Sequence, residues 1–302
     1  MQKTAVVHLV RKQNGLEPLQ HFLDSYRTHE SGLPHDLIFI LKGFSGVDDL
    51  GAYRQILADF PHKQFFVDDW GYDIRPYFET VRQFNYDHYC FFNSFSRILA
   101  PNWLALLYDW AGRKDVGMAG ATGSYESFAT NNRIRKKMFS TMSISGRIGW
   151  RIRHVANAPT LGEGVVRAGA WVLEEARIWD PVYFFPLFPN YHIRTNAFMA
   201  SRDILLRLKV LPVISKVSAY LIESGRNSLT NQVLSAGLKA ILVGRDGQGL
   251  EPESWHRSNI FRQGRQENLL VSDNQTEAYD RADQTRREEL AYLAWGEHAR
   301  AT

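Results

Sequence analysis

Through the first 125 residues, short apolar runs alternate with stretches whose apolar positions recur every three or four residues, the pattern of strands returned by helices. Thr4 to Val10 predicts a first strand, followed by a turn at Asn14-Gly15 and a helix over Leu16 to Glu30. Asp36 to Leu41, Lys63 to Val67, Tyr86 to Phe92 and Val116 to Ala121 read as further strands, separated by helices over Val47 to Ala58, Ile74 to Phe84 and Asn102 to Gly112. Tyr86 to Phe92 is apolar without a break, which suits a central strand buried on both faces. Strands alternating with helices predict a mainly parallel α/β sheet.

After Gly123 the rhythm breaks. Between Asn131 and His154, Arg133, Arg135, Lys136, Lys137, Arg147, Arg151 and Arg153 are interleaved with apolar residues such as Ile134, Ile148 and Trp150. Such a stretch fits a helix with one docked face, a closure over a diphosphate, or a contact with an anionic membrane surface. Alternation then resumes with a strand over Ile193 to Ala200, helices near Asp203 to Leu208 and Ser228 to Ala236, and a strand at Ala240 to Val243. Gly244 to Glu253 reads as loop, and Glu277 to His298 as one charged helix docked by Leu290, Leu293 and Trp295. The expected organisation is one catalytic domain over residues 1–250, with a basic insertion at about 131–157, and a C-terminal loop and helix over 251–302.

Composition narrows the class without choosing a function. With 302 residues, 44% of them hydrophobic, the chain can bury a large core. The net charge of +4 makes no demand for nucleic acid. A single cysteine, Cys90, lies in an apolar run, so it is expected in the core, with no disulfide framework and a cytoplasmic setting. The first ten residues are too short for a secretory apolar region, and no run reaches the roughly 18 apolar residues of a membrane span.

In an open parallel sheet, ligands bind beyond the carboxyl ends of the strands. There the chain offers Arg11, Lys12, Lys42, Asp68, Asp69, Asn93, Ser94, Ser96 and Thr122 to Ser124. No G-x-G-x-x-G follows the first strand, and no G-x-x-x-x-G-K-[ST] or G-x-S-x-G occurs, which argues against dinucleotide dehydrogenases, P-loop enzymes and nucleophile-elbow hydrolases.

Several strings resemble GT-A glycosyltransferases of the family 2 type, particularly the rhamnan-synthesis branch. Asp69-Trp70-Gly71-Tyr72-Asp73-Ile74 is similar to that branch's N-x-G-x-D-I, and it also reads as a turn at Gly71 with Asp73 capping the next helix. Phe91 to Ser96 stands where the family carries D-x-D, whose two carboxylates hold a divalent cation, manganese or magnesium, against the donor diphosphate. Asn93 and Phe95 occupy those acidic places, so a metal-independent or weakly metal-dependent enzyme is expected. The resemblance covers residues 4 to 245 and implies a GT-A fold with a C-terminal helical extension.

It implies donor contacts at Val10, Arg11, Lys42, Asp69, Asp73, Asn93, Ser94 and Ser96. His192 to Phe198 resembles the segment under the acceptor side, where Arg194 and Asn196 are the polar members. Glu223, in Glu223-Ser224-Gly225-Arg226, matches the catalytic base of inverting enzymes, which removes the proton of the acceptor hydroxyl. Arg226 and His256 are candidate phosphate contacts. The implied partners are a nucleotide-sugar donor and a saccharide or lipid-linked acceptor. Two readings stay open: an inverting glycosyltransferase, and a nucleotide- or carbohydrate-binding module of the same fold without turnover.

Overall fold

β1 (Thr4–Arg11), β2 (Asp36–Lys42), β3 (Lys63–Val67) and β4 (His88–Phe92) pair in parallel in the order β3-β2-β1-β4. Side chains of a strand alternate between the two faces of its sheet, and here both faces are buried. Val7, Leu9, Ile38, Ile40 and Phe91 join one core cluster with Ile74, Tyr77 and Val81 of α3 (Ile74–Gln83). Val6, Val10, Leu37, Phe39 and Leu41 join the other, with Phe22 and Leu23 of α1 (Glu17–Thr28), Leu57 of α2 (Ala52–Ala58) and Leu104 and Leu107 of α4 (Trp103–Ala111). Cys90 is fully buried in this second cluster, and burial raises its thiol pKa, as a core cysteine requires. The computed structural model describes residues 2–140 and 181–300, with positions 149, 152, 153, 155–157, 165 and 169. Within the basic insertion expected at 131–157, positions 141–148, 150, 151 and 154 lie outside the described residues.

The sheet continues through a strand running the other way. β9 (Ala197–Ser201) lies antiparallel between β4 and β6 (Val116–Gly120), and β10 (Lys239–Val243) pairs parallel to β6. β11 (Gly249–Leu250), inside the expected loop 244–253, closes the edge antiparallel to β10. The strand expected over Ile193 to Ala200 is divided: β8 (His192–Ile193) pairs with β7 (Gly123–Ser124), and the chain turns before β9. α5 (Phe128–Ser140) follows β7, α6 (Arg202–Arg207) follows β9, and α7 (Lys216–Ser224) and α8 (Leu229–Ser235) lead into β10. The architecture is a mainly parallel sheet flanked by helices, as expected.

The C-terminal segment is built into the core. β12 (Val271–Ser272) pairs with β5 (Arg97–Ile98), and two helices, α9 (Asn274–Asp280) and α10 (Gln284–Trp295), replace the single helix expected over 277–298. The break is chemical, because the Asp283 carboxylate accepts the Arg286 N–H at 2.8 Å and starts a new helix. Trp295 is fully buried, its indole N–H donates to the Phe261 carbonyl at 2.6 Å, and its ring meets Tyr125 at 4.9 Å. Trp295→Ala is expected to lower unfolding free energy by about 3–5 kcal/mol, and Trp295→Phe by less, in urea titrations.

Candidate active site

Since β9 opposes its neighbours, its first residues arrive at the edge where β4 and β6 end. Asn93 N–H donates to the Asn196 carbonyl at 2.9 Å, and Ala121 N–H to that of Ala197 at 3.0 Å. Glycine at position 120 permits this approach, because a Cβ there would stand 2.3 Å from the Ile193 side chain. Arg194, Thr195 and Asn196 thereby reach the same edge as Asn93 and Thr122. Asn196 Oδ1 accepts the Thr122 hydroxyl, and Asn93 Oδ1 accepts the Phe95 N–H and the Ser96 hydroxyl, each at 3.0 Å.

At the ends of β1 to β3, the charges neutralise one another. Arg11 makes a two-pronged bond to Asp69, at 2.7 and 2.8 Å, which holds the carboxyl below its usual pKa. Lys42 is almost wholly buried, donates to the Tyr72 carbonyl at 2.8 Å and stands 3.6 Å from Asp69. Burial pushes its pKa down against the opposing pull of Asp73 and Asp69. Asp73 precedes α3 but makes no capping bond. Burial raises its pKa, Lys42 and Arg11 work against that rise, and Glu223 adds to it. The turn that sets this geometry uses Gly71, at φ +84°.

A cavity of about 400 Å³ is lined by Asp73 and Asn93 together with Glu223, His192, Arg194 and Asp273. Glu223 lies in the last turn of α7, and its Oε1 accepts the Thr195 N–H at 3.0 Å and hydroxyl at 3.4 Å. Arg194 is clamped by Asp273 at 2.7 Å, with its guanidinium 4.3 Å from the Phe261 ring centre. Arg262 faces Glu126 at 3.4 Å and donates to Gln275 at 2.9 Å, and burial lowers its pKa to about 10. The His192 Nδ1 bonds to the Asn190 carbonyl at 2.9 Å. Burial lowers its pKa, outweighing the favourable charges of Glu223 and Glu126, while Arg194 adds to the lowering.

Of the residues expected from the sequence, Asp73, Asn93, Arg194, Asn196 and Glu223 meet at this cavity. Arg11, Lys42 and Asp69 form the network beside it, Val10 is buried in the core, and Ser94 and Ser96 are buried behind Asn93. Arg226 is turned away onto the Val182 carbonyl. His256 stacks on His298 at 4.2 Å in a separate C-terminal groove. His192, Glu126, Arg262 and Asp273 also line the cavity, without having been assigned a role from sequence. The Ser215/Ser218 capping box before α7 and the Asp273/Thr276 box before α9 were readable signals for the helices that deliver Glu223 and Asp273. Arg262, at φ +52°, had none.

A divalent cation does not fit the strand end at Asn93. The one oxygen that Asn93 offers is engaged by Phe95 and Ser96, and Phe95 carries no donor atom. Among the described residues, no group of three or more His, Cys, Asp or Glu side chains converges on one point.

No family model matches the chain, and neither does any curated protein. Among solved structures, the chain is similar to the mannosyltransferase PcManGT from Pyrobaculum calidifontis, solved with GDP-Man and Mn2+, at 12% identity and a TM-score of 0.46, over 86% of this chain and 60% of that one. It is similar to the glucosyl-3-phosphoglycerate synthase of Mycobacterium tuberculosis at 14% identity and 0.39, over 78% and 66%. The likeness to S. aureus TarS 1–349 has 13% identity and 0.30, over 39% and 34%.

Removing one member of a buried charge group leaves the other uncompensated. Lys42→Met is therefore expected to cost about 3 kcal/mol at neutral pH in urea titrations, and Lys42→Met with Asp73→Asn to recover most of it. A raised carboxyl pKa means that the folded state takes up its proton before the unfolded state does, so the single variant's deficit narrows as pH falls toward the carboxylate range.

Proposed function

We propose that the protein is an inverting glycosyltransferase of the GT-A type, moving a sugar from a nucleotide-sugar donor to a saccharide or lipid-linked acceptor. The observation that carries this reading is Glu223, held through one oxygen by Thr195 while facing the cavity beside strand-end Asn93 and Asp73. An inverting transfer needs a carboxylate opposite the leaving group, and a crevice at the carboxyl ends of the strands is where an open α/β sheet binds its ligand. The acceptor oxygen attacks the anomeric carbon and its proton passes to Glu223. The bond from that carbon to the diphosphate oxygen breaks, and its electron pair leaves with the nucleoside diphosphate.

The Arg11, Lys42 and Asp69 network supplies the donor side. In it both oxygens of Asp69 hold Arg11, and Arg11, with its side chain 37% exposed, keeps further guanidinium N–H groups with which to meet a phosphate. Residues 1–250 are the catalytic domain in this reading, and 251–302 complete the acceptor wall through Arg262 and Asp273. The basic stretch that starts on α5 is the candidate contact with an anionic membrane surface. Among the described residues, no helix is long and apolar enough to cross a membrane.

A panel of UDP-, GDP-, dTDP- and CMP-sugars should contain one that raises the melting temperature, as a ligand of the native state must. Glu223→Gln should keep that rise and lose transfer by about 10²–10⁴-fold, the range for a general base. Full turnover in the variant would remove Glu223 from the mechanism. Binding without turnover in the wild type would leave the non-catalytic module, the reading favoured by the engaged Asn93.

A further inference from the structure

The cavity's charged groups are not evenly available. Arg194 is matched by Asp273, which is 1% exposed, and Arg262 by Glu126, so the charge of each is compensated, although the buried Arg262 Nε has no hydrogen-bond partner among the described residues. Arg194 also reaches Thr122, and Arg262 reaches Gln275. The Thr195 N–H is taken by Glu223. Asn196 Nδ2 lacks a partner among the described residues, yet that atom is buried beneath the cavity wall. Asp73 and the second oxygen of Glu223 are left, both hydrogen-bond acceptors and both negative when ionised.

His192 adds a third acceptor. A carbonyl oxygen can only accept, so its bond to Asn190 requires the proton of the neutral ring to sit on Nδ1. Nε2 then carries a lone pair. It has no hydrogen-bond partner among the described residues, and the ring lines the cavity at 7% exposure. The groups facing this ring are Glu223, Glu126 and Arg194. Asn274 and Gln275 at the rim offer amides, which serve either way.

Asn93 adds an amide N–H and Tyr220 a hydroxyl, but the charged and titratable groups left uncompensated are acceptors, which a ligand satisfies by bringing hydroxyl hydrogens. We propose that the cavity receives an uncharged, hydroxyl-bearing end of the acceptor, and that His192 touches it by accepting a hydrogen bond from one hydroxyl at Nε2. The proposal rests on the glycosyl-transfer reading and deepens it. It names the acceptor class, a neutral sugar rather than a phosphorylated or carboxylated one, and adds His192 to Glu223 as a residue in contact with it.

Nitrogen-15 spectra of the full chain labelled at histidine, with His192 assigned by its loss in His192→Gln, should show the neutral tautomer protonated at Nδ1 at neutral pH. A proton on Nε2, or an imidazolium, overturns the proposal. For kinetics, the donor that stabilises the wild type is combined with methyl hexopyranosides, hexose 6-phosphates and hexuronic acids as acceptors. The methyl hexosides should be used at least about ten-fold better than the charged sugars, the scale of losing one hydrogen bond or burying one unpaired charge. His192→Phe should raise the acceptor KM by about ten-fold with the donor KM unchanged, and His192→Gln, whose amide oxygen lies near the place of Nε2, should recover most of it. An unchanged acceptor KM in His192→Phe, or a preference for the charged sugars, overturns this inference and leaves the transfer reading standing. Hexoside binding seen by saturation-transfer NMR, weakened in His192→Phe but accompanied by no turnover with any donor, overturns the transfer reading and keeps His192 as a sugar contact.

Discussion

One strand running against its neighbours organises the candidate site. Parallel strands deliver their carboxyl ends to one edge of a sheet, and a chain made only of such strands would have to line that edge with loops. β9 enters antiparallel between β4 and β6, so its amino-terminal approach, Arg194 to Asn196, is pinned to that edge by main-chain bonds from Asn93 and Ala121. Everything across the cavity follows from this. Thr195 fixes one oxygen of Glu223, Asn196 joins Thr122, and Arg194 faces Asp273. The absence of a Cβ at Gly120 is the local condition for it.

The electrostatics divide into groups that hold the structure and groups left to meet a ligand. Arg11 with Asp69, Arg194 with Asp273, and Arg262 with Glu126 are matched pairs, and such pairs fix geometry more than they add stability. Phe261 gives two of these guanidiniums a shared apolar surface, with centroid distances of 4.3 and 4.7 Å. Asp73, Glu223 and His192 are the remainder. Burial acts on the histidine and on Asp73 in the same sense, favouring the neutral form of each.

The C-terminal segment belongs to the site as much as to the core. Trp255, Ile260, Phe261, Leu269 and Trp295 pack in the same cluster as the strands, while Leu270 and Val271 pack on the opposite face of the sheet. That double anchoring carries Arg262 and Asp273 to the cavity wall. A buried indole bonded to a main-chain carbonyl costs much to displace, which keeps the wall in register with β7 and Tyr125.

The parallel half of the fold was legible in the sequence because its signals are local. Strands buried on both faces show as unbroken apolar runs, and β1 to β4 fall where those runs lie, with ends shifted by two residues or fewer. A strand end also pointed to Asn93, since position beyond a run is itself a one-dimensional property, whereas Asp73 came from the resemblance of the Asp69 to Ile74 string. Glu223 was found by resemblance to a short string, while the helix that carries it went unread although Ser215 and Ser218 mark its start. Tertiary structure alone decided the direction of β9, because an apolar alternation has the same period whichever way its neighbours run. It alone decided the division of the charges too. Arg11, Lys42, Arg194 and Arg226 look alike along the chain, but which cation is buried, which is matched and which is turned away depends on hydrogen-bond partners 30 to 79 residues distant, and distance along a chain says nothing of distance in space.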